Sequence, residues 1–209
     1  MARPSSPLLS RDAIIDCALK IIDAEGAAGL SMRTLAAELG VSGPSLYHHF
    51  GSKDAIIDAI IDRANRQIRF GTDEAAWEDV LAGYAYQLRT FLIAHPHIVE
   101  LLALRPVTQE SGLRIYEEIA ARLARFGLDP AFGREITLAV ENLVYGAALM
   151  ANAPDVALTA ERQAEYPALA SSLLGPRRTP DDGFEVGFAA LIEGLRKMMS
   201  DTGTRDRAC

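Results

Sequence analysis

The sequence predicts an all-α protein, and three observations carry that prediction. Only 7% of the 209 residues are aromatic, although 49% are hydrophobic. Alanine, leucine and isoleucine abound at helical spacing, and few segments alternate with the period of two that a strand requires. Serine caps and glycine or proline stops recur along the chain. The length and apolar content suffice for the core of one large or two small domains.

The N-terminal quarter of the chain predicts three short helices. Ser10, Ser31 and Ser42 each precede an apolar helical pattern, and a serine hydroxyl can accept the unpaired N–H groups of a first helical turn. Gly26 and Gly40 are placed to end the first two helices, because glycine readily adopts the left-handed conformation of a C-terminal cap. The third helix is shorter than the second.

The remainder of the chain predicts longer helices. Ser52 is placed to cap a fourth helix, which runs from Lys53 to about Arg69. Proline and glycine breaks divide the following sequence into helices at roughly 74–94, 97–104, 108–126, 131–152, 161–174 and 182–200. Residues 1–9 are expected to form a flexible arm, and residues 201–209 are expected to form a disordered tail.

Charge is distributed unevenly along the chain. The formal net charge is −7, which argues against a protein that coats nucleic acid without sequence preference. Residues 1–53 contain five basic and five acidic side chains, so the residues after them carry the whole negative charge. The neutral N-terminal quarter is therefore the favoured face for a polyanion.

Cysteine content and apolar runs predict the cellular location. Cys17 and Cys209 are the two cysteines, which is too few for a disulfide framework or a Cys-rich zinc site and is typical of a reducing compartment. The N-terminus lacks the apolar core of a signal peptide. No run reaches the roughly 18 apolar residues of a membrane span. We therefore expect a cytoplasmic protein without membrane association.

The stretch GVSGPSLYHHFGSKD, residues 40–54, has the spacing of the turn and second helix of a helix-turn-helix. Leu46 and Phe50 are four residues apart and should share an inward face, while Val41 fills the angle between the helices. Small, hydroxyl and imidazole side chains then face outward, which suits close approach to a DNA groove. These are Gly43, Ser45, Tyr47, His48 and His49. The alternative is an ordinary helical hairpin with solvent-facing polar residues.

Metal-binding and catalytic motifs are not found in the sequence. His48 and His49 are adjacent and project about 100° apart on a helix, so they cannot share a metal ion as an i,i+4 pair would. The His95-Pro96-His97 stretch lies in a helix break without a nearby acidic cluster. No GxSxG, HExxH, GxGxxG or P-loop pattern occurs. We therefore predict a protein that is not an enzyme and has no metal, cofactor or catalytic residue.

Two late helices carry apolar residues at alternating spacings of four and three. The first set is Ile136, Val140, Leu143, Ala147 and Met150, and the second is Phe184, Phe188, Leu191, Leu195 and Met198. Such spacing is typical of a helix-packing seam. The seams could lie in the core of one chain or at an interface between two chains, and the spacing alone does not decide between these alternatives.

The stretch LSMRTLAAELGVSGPSLYHHFGSKDAIIDAI closely resembles the DNA-binding motif of TetR-family transcriptional regulators. The resemblance covers roughly residues 10–60. It implies a DNA-binding helix-turn-helix domain in residues 1–52 and a helical effector-binding and dimerisation domain in residues 53–200. It also implies a homodimeric repressor that a small molecule releases from operator DNA. A helical enzyme or carrier that contains a helix-turn-helix and a constitutive DNA-binding dimer are the alternatives.

The same resemblance assigns residues to the DNA interface. They are Met32, Arg33, Gly43, Pro44, Ser45, Tyr47, His48, His49 and Lys53. The tyrosine hydroxyl, the lysine ammonium and the amides at a helix N-terminus are suitable phosphate partners. Arg33 can make a bidentate contact with guanine, whereas Gly43 has no side chain with which to read a base.

The stretch FLIAHPHIVELLALRP resembles the regulatory domain of the tetracycline-repressor branch of this family. In that branch two C-terminal helices of each subunit form a four-helix dimer bundle, so the resemblance assigns the two seams to a dimer interface. A histidine near the end of the sixth helix ligates the drug's magnesium there. Leu101 pairs with that histidine, so a tetracycline–magnesium complex is not the expected effector.

An effector cavity is expected among the helices between residues 53 and 152. Its expected lining residues are Tyr84, Leu88, Leu101, Arg105, Asn142 and Tyr145. Because the domain is acidic and offers few polar anchors, the expected effector is largely apolar and either neutral or cationic. Arg105 is the one residue in this set that could pair with a carboxylate.

Overall fold

The structure is a computed structural model that describes residues 9–72, 75–151, 153, 156–173 and 180–205. These residues form helices and connecting loops without a β-strand, which confirms the all-α prediction. The α-helices are α1 Arg11–Gly29, α2 Met32–Leu39, α3 Gly43–Tyr47, α4 Lys53–Gln67, α5 Trp77–Ala94, α6 Val99–Ala103, α7 Glu110–Arg125, α8 Pro130–Met150, α9 Ala160–Gln163, α10 Pro167–Leu173 and α11 Pro180–Arg205. A short 3-10 turn at Pro96–Ile98 precedes α6.

The predicted serine caps are confirmed at the first four helices. The Ser10 and Ser52 hydroxyls accept the N–H groups of Ala13 and Ala55, each at 3.1 Å. At α2, the Ser31 hydroxyl accepts the Thr34 N–H at 3.0 Å, and the Thr34 hydroxyl accepts the Ser31 N–H at 2.9 Å. These reciprocal bonds satisfy two otherwise unpaired donors and fix where the helix begins. At α3 the Ser42 hydroxyl accepts the Ser45 N–H at 3.4 Å, without the reciprocal bond.

Several predicted boundaries differ from the observed ones. The predicted helix at 161–174 is divided into α9 and α10, because Pro167 has no N–H and disfavours helical backbone before it. Helix α11 continues to Arg205, so the residues expected to begin a disordered tail are helical as far as that point. Of the predicted arm, Leu9 packs against the N-terminal core. Residues 1–8 and 206–209 lie outside the described residues.

The helices enclose two hydrophobic cores. The first core joins α1, α2 and α3 to α4, and it includes Ile14, Leu35 and Ile56. The second core joins α5, α7, α8 and α11, and it includes Leu81 and Ile119. Helix α4 was assigned to the second domain by a boundary after residue 52. The structure instead packs the first half of α4 into the first core.

Most residues of the two predicted seams lie in the core of the protomer, whereas Met150 and Met198 are exposed. Ile136 and Val140 of α8 pack with Phe184, Phe188 and Leu195 of α11, and all five are buried. Leu143, Ala147 and Leu191 are partly buried against the same core. A side chain that is buried within one chain has little area left for a partner. This packing corrects the assignment of the five buried residues to a dimer interface, while the assignment of Leu143, Ala147 and Leu191 stays a prediction.

Close approach of α8 and α11 explains one small residue between the seams. A Cβ atom added to Gly187 would lie only 2.8 Å from Cδ1 of Leu143. Real Cβ contacts are longer, so glycine at this position allows the two helices to pack closely. The small residues of α11 therefore serve packing within the protomer at this point.

Gly26 provides a stability test, because its backbone has φ 71° and ψ 179° within α1. Side chains with a Cβ atom rarely adopt this conformation, so Gly26→Ala should lower the free energy of unfolding by about 1–3 kcal/mol. Gly51 has no positive φ and open space where a Cβ would lie. The Gly51→Ala control should therefore change stability by less than about 0.5 kcal/mol. Urea unfolding followed by circular dichroism would measure both, and equal effects would contradict the strain argument.

Candidate nucleic-acid interface and effector cavity

The turn between α2 and α3 holds the two helices of the helix-turn-helix in a fixed arrangement. Gly40 has φ 65° and ψ 31°, and its N–H donates to the carbonyl groups of Ala36 and Ala37. The left-handed conformation of this glycine reverses the chain without strain. The Val41 N–H also donates to the Ala36 carbonyl, at 3.0 Å. Leu46 is fully buried, so it anchors α3 to the first core as predicted.

The side chains predicted to face DNA are largely accessible. Tyr47 is 56% exposed although it is a large aromatic residue. Arg33, Pro44 and His48 are also exposed, while the remaining residues predicted at the interface are half-buried: Met32, Gly43, Ser45, His49 and Lys53. No atom lies within 4 Å of the position that a Cβ on Gly43 would occupy. The N-terminal end of α3 is therefore open to close approach by another molecule.

Two residues near this surface also hold the domain together. The Arg11 guanidinium donates to the carbonyl of His49 and lies 3.9 Å from the ring centroid of Phe50. The Lys53 ammonium donates to the carbonyl of Ala27 near the end of α1. The resemblance assigned Lys53 to a phosphate, but here it satisfies a backbone carbonyl. Because an ammonium has three donors, the remaining donors are still available to another acceptor.

Ion pairs connect the first core to the helices of the second. The Arg105 guanidinium, after α6, binds the carboxylates of Asp54 and Asp58 on α4, the latter at 2.9 Å. His95 Nδ1 lies 2.9 Å from Oδ2 of Asp23 on α1. These contacts join the loop between α6 and α7 to α4, and the end of α5 to α1.

A small, partly enclosed cavity of about 30 Å³ lies between α4, α5, α7 and α8. Four of the predicted effector residues line it together, namely Tyr84, Leu88, Arg105 and Tyr145. The other two do not. Asn142 is exposed on the far side of α8, and Leu101 packs against the first core while its neighbour Leu102 lines the cavity. Successive residues on a helix point about 100° apart, so a register error of one residue is enough to misplace both.

Glu141 is the central polar residue of this cavity, and the sequence analysis did not identify it. Its Oε1 accepts the Tyr84 hydroxyl at 2.6 Å, and its Oε2 accepts the Tyr116 hydroxyl at 2.7 Å. Burial raises the pKa of Tyr84 and of Tyr116, and the hydrogen bonds to Glu141 and its negative charge add to the rise. Burial, and then the Glu141 charge, raises the pKa of Tyr145. At neutral pH these phenols are therefore protonated.

One feature of the sequence could have identified Glu141. It is a single acidic residue within the apolar run ITLAVENLVYGAAL. Because a lone carboxylate is costly to bury, such a residue on a core helix indicates either an exposed position or a buried polar site. No comparable signal identifies Tyr116, which follows α7 residues of ordinary amphipathic spacing.

A larger and more open groove adjoins the cavity. It measures about 460 Å³ between α4 and α5, and it shares Asn65, Leu88 and Leu102 with the lining of the cavity. The groove is more open to solvent than the cavity, and Glu141 lines only the cavity. Across the described residues, no group of three or more metal-ligating side chains is found. Nor is any described helix long and apolar enough to span a bilayer.

Family models match nearly the whole chain. Residues 14–60 match the N-terminal model described as bacterial regulatory proteins of the tetR family. Residues 70–199 match the model described as the tetracyclin repressor-like C-terminal domain. The first match covers the helix-turn-helix, and the second contains most of the residues around the cavity.

Individual proteins agree with these matches. An HTH-type transcriptional regulator of Saccharopolyspora erythraea is 30% identical, with 91% of this chain and 86% of the relative covered. The class C tetracycline repressor of Escherichia coli is 32% identical, with 93% of this chain and 94% of the relative covered. Among solved structures, apo ActR of Streptomyces coelicolor has a TM-score of 0.76 at 25% identity, with 97% of this chain and 100% of that chain covered. ActR in complex with (S)-DNPA has a TM-score of 0.71 at 28% identity, with 90% of this chain and 97% of that chain covered.

The matched models and these relatives are transcriptional regulators and not enzymes, in agreement with the helix-turn-helix that the structure contains. The chain belongs to the TetR family of bacterial transcriptional regulators and is a DNA-binding regulator.

Proposed function

We propose that this regulator is a homodimeric repressor that a small-molecule effector releases from operator DNA. The observation that carries the proposal is the position of α4. Ile56 and Ile60 of this helix pack in the first core, beneath the DNA-facing helices. Ile61 and Asn65 of the same helix line the cavity. A ligand in the cavity would therefore press on a helix that also supports the DNA-binding surface.

Relatives with bound ligands support this proposal. ActR has been solved with (S)-DNPA, and its fold covers most of this chain. In the present chain, Arg105 lines the cavity and is paired with Asp54 and Asp58 near the start of α4. A ligand that displaces Arg105 would release this end of α4 as well as pressing on Asn65. The ligand then binds the released position of α4 more tightly than the position that fits DNA. Operator affinity falls by the difference between these two ligand affinities.

A dimer interface is proposed on the outer faces of α8 and α11. Val186 is 62% exposed and Met150 is 63% exposed, although both are apolar. On α11, the exposed stripe continues through Ala190 and Gly194. On α8, it passes Gly146, where an added Cβ would meet no atom within 4 Å. An exposed apolar stripe of this kind is typical of an interaction surface. On α11 this stripe lies opposite the predicted seam, whereas on α8 Met150 is the last residue of the predicted seam itself.

The dimer proposal predicts that charge on this stripe will separate the subunits. Val186→Glu combined with Ala190→Glu should give monomers in sedimentation equilibrium, because the carboxylates would be buried without partners. Ala189 is exposed on the charged face of α11, among Glu185 and Glu193. Ala189→Glu is the matched control and should remain dimeric. Persistence of the dimer in the double variant would move the interface to another surface.

DNA binding through α2 and α3 predicts separate effects of two substitutions. Tyr47→Phe should weaken binding to all DNA sequences, because a hydroxyl that binds phosphate reads no base. Arg33→Ala should cost about 1–3 kcal/mol and relax specificity if its guanidinium reads a guanine. Arg66→Ala removes the same charge from an exposed site on α4 that is bonded to Asp62, and it should have little effect. Fluorescence anisotropy with the protein's own promoter region would measure these affinities.

Salt dependence provides the decisive control for that measurement. Neutralisation of several phosphates releases counterions, so log affinity should fall linearly with log salt concentration. Tyr47→Phe should shift this line downward without greatly changing its slope, because the substitution removes no charge. If the full-length protein shows no salt-sensitive binding to its promoter region, DNA recognition at that site is excluded.

Effector coupling predicts reciprocal affinities. A compound that raises the melting temperature of the free protein binds its native state. If the compound is an effector, the compound and operator DNA must weaken each other's binding by the same factor. The corresponding coupling free energy is typically about 1–3 kcal/mol. Calorimetry with and without operator would measure this factor. Arg105→Gln should reduce it, because the variant loses the ion pairs to α4. Equal ligand affinities in both experiments would show that the compound is not an effector, however tightly it binds.

A further inference from the structure

We propose that the cavity between α4, α5, α7 and α8 recognises organic cations, with the Glu141 carboxylate as the group that binds the cationic centre. This inference rests on the proposed function, which assigns the cavity to an effector. It names the chemical class of that effector and the residue that selects it. Neither the helix-turn-helix nor the family match contains this information.

The charge balance of the cavity carries the inference. Glu141 is only 6% exposed and lines the cavity from α8. Among the described residues, no lysine or arginine lies within ion-pair distance of its carboxylate. Arg105, the guanidinium that lines the same cavity, is already paired with Asp54 and Asp58. The cavity therefore contains a buried negative charge whose cationic partner is not supplied by its own wall.

Two hydrogen bonds hold the Glu141 carboxylate in position. The hydroxyls of Tyr84 and Tyr116 approach separate oxygens, at 2.6 and 2.7 Å. Because the phenols remain protonated, both can donate, and an ionised carboxylate accepts on both oxygens at once. Two neutral donors compensate only part of the cost of removing this charge from water. A cation that enters the cavity would meet a preorganised anion with little water to compete for it.

The other walls of the cavity define the rest of the ligand. Ile61, Leu88, Leu102 and Ile115 provide apolar surface, while Tyr84, Tyr116 and Tyr145 border the same space as Glu141. Aromatic rings attract cations that contact their faces, most strongly where water is excluded. The cavity itself is small, so a protonated or quaternary amine would place its cationic centre beside Glu141 and its aromatic or aliphatic body in the adjoining groove, past Leu88 and Leu102, which line both. An anion would be repelled by Glu141, and a neutral molecule would leave the carboxylate without a cationic partner.

A pair of matched probes tests the inference directly on the full-length protein without DNA. Benzyltrimethylammonium and neopentylbenzene have nearly the same shape, but only the first carries a charge. Titrations followed by NMR should show that the wild-type protein binds the cation at least about tenfold more tightly than the neutral isostere, which is a modest ratio for a buried charge pair. Nuclear Overhauser contacts should join the trimethylammonium protons to the rings of Tyr84 and Tyr116.

The substitution Glu141→Gln removes the charge and preserves the shape of the side chain. It should weaken binding of the cation by about tenfold or more and leave binding of neopentylbenzene unchanged. Glu135 is exposed on the opposite face of α8, so Glu135→Gln is the matched control and should bind both probes like the wild type. Tyr116→Phe should retain the preference for the cation, because Glu141 keeps its charge.

The inference is overturned if the wild-type protein binds both probes equally, or if Glu141→Gln binds the cation as tightly as Glu135→Gln does. The wild-type preference and the Overhauser contacts do not depend on the variant's folding. Operator release, measured separately, distinguishes this inference from the proposed function. If the cation binds through Glu141 and operator affinity is unchanged, the cation site is supported and effector release is not. If only neutral compounds bind and release the operator, effector release is supported and the cation site is not.

Discussion

Helix α4 is shared by two hydrophobic cores, and the arrangement of the protein depends on this sharing. Ile56, Ile57 and Ile60 pack with α1, α2 and α3. Ile68, immediately after the helix, packs into the second core. Packed cores resist compression, so a helix anchored in both transmits displacement instead of absorbing it. Helix α4 also forms one wall of the cavity around Glu141, through Ile61 and Asn65.

Apolar and polar contacts both join the two cores. Phe91 and Leu102 pack against both cores. The ion pairs of Arg105 with Asp54 and Asp58, and the contact between His95 and Asp23, are partly exposed to solvent. Polar contacts of this kind contribute little to stability, because water competes for each partner and long side chains lose freedom. They can therefore rearrange at low cost when the two cores change orientation.

Helices α8 and α11 each have apolar residues in the core and at the surface. Ile136, Val140 and Phe184 are buried in the second core, while Met150 and Val186 are exposed. On α8, the buried residues and Met150 belong to the same predicted seam, with spacings of three and four. The periodicity in the sequence therefore detects amphipathic packing without distinguishing the core from an interface, because both environments exclude water in the same way. Core residues are distinguished from interface residues only by the position of α5 and α7, which cover one face of these helices.

Local interactions are the part of this protein that its sequence determined. The serine caps, the left-handed Gly40 and the inward Leu46 involve residues within a few positions of one another, so their spacing was sufficient to predict three helices and the exposed side chains of the helix-turn-helix. The family resemblance extended that prediction to DNA binding. Of the six residues expected to line an effector cavity, Tyr84, Leu88, Arg105 and Tyr145 line one cavity in the structure.

Long-range contacts were decided by the tertiary structure. Tyr84 and Tyr116 are 57 and 25 residues from Glu141, and no local pattern encodes which helix faces meet. An uncertainty of one residue in helical phase rotates a side chain by about 100°. Asn142 was predicted to line the cavity, but its neighbour Glu141 lines it. Likewise, Leu101 was predicted to line the cavity, but its neighbour Leu102 does so. The sequence determined which segments are helical and where they begin, because caps and turns are local. The packing of α5, α7, α8 and α11 decided which charge is buried in the cavity.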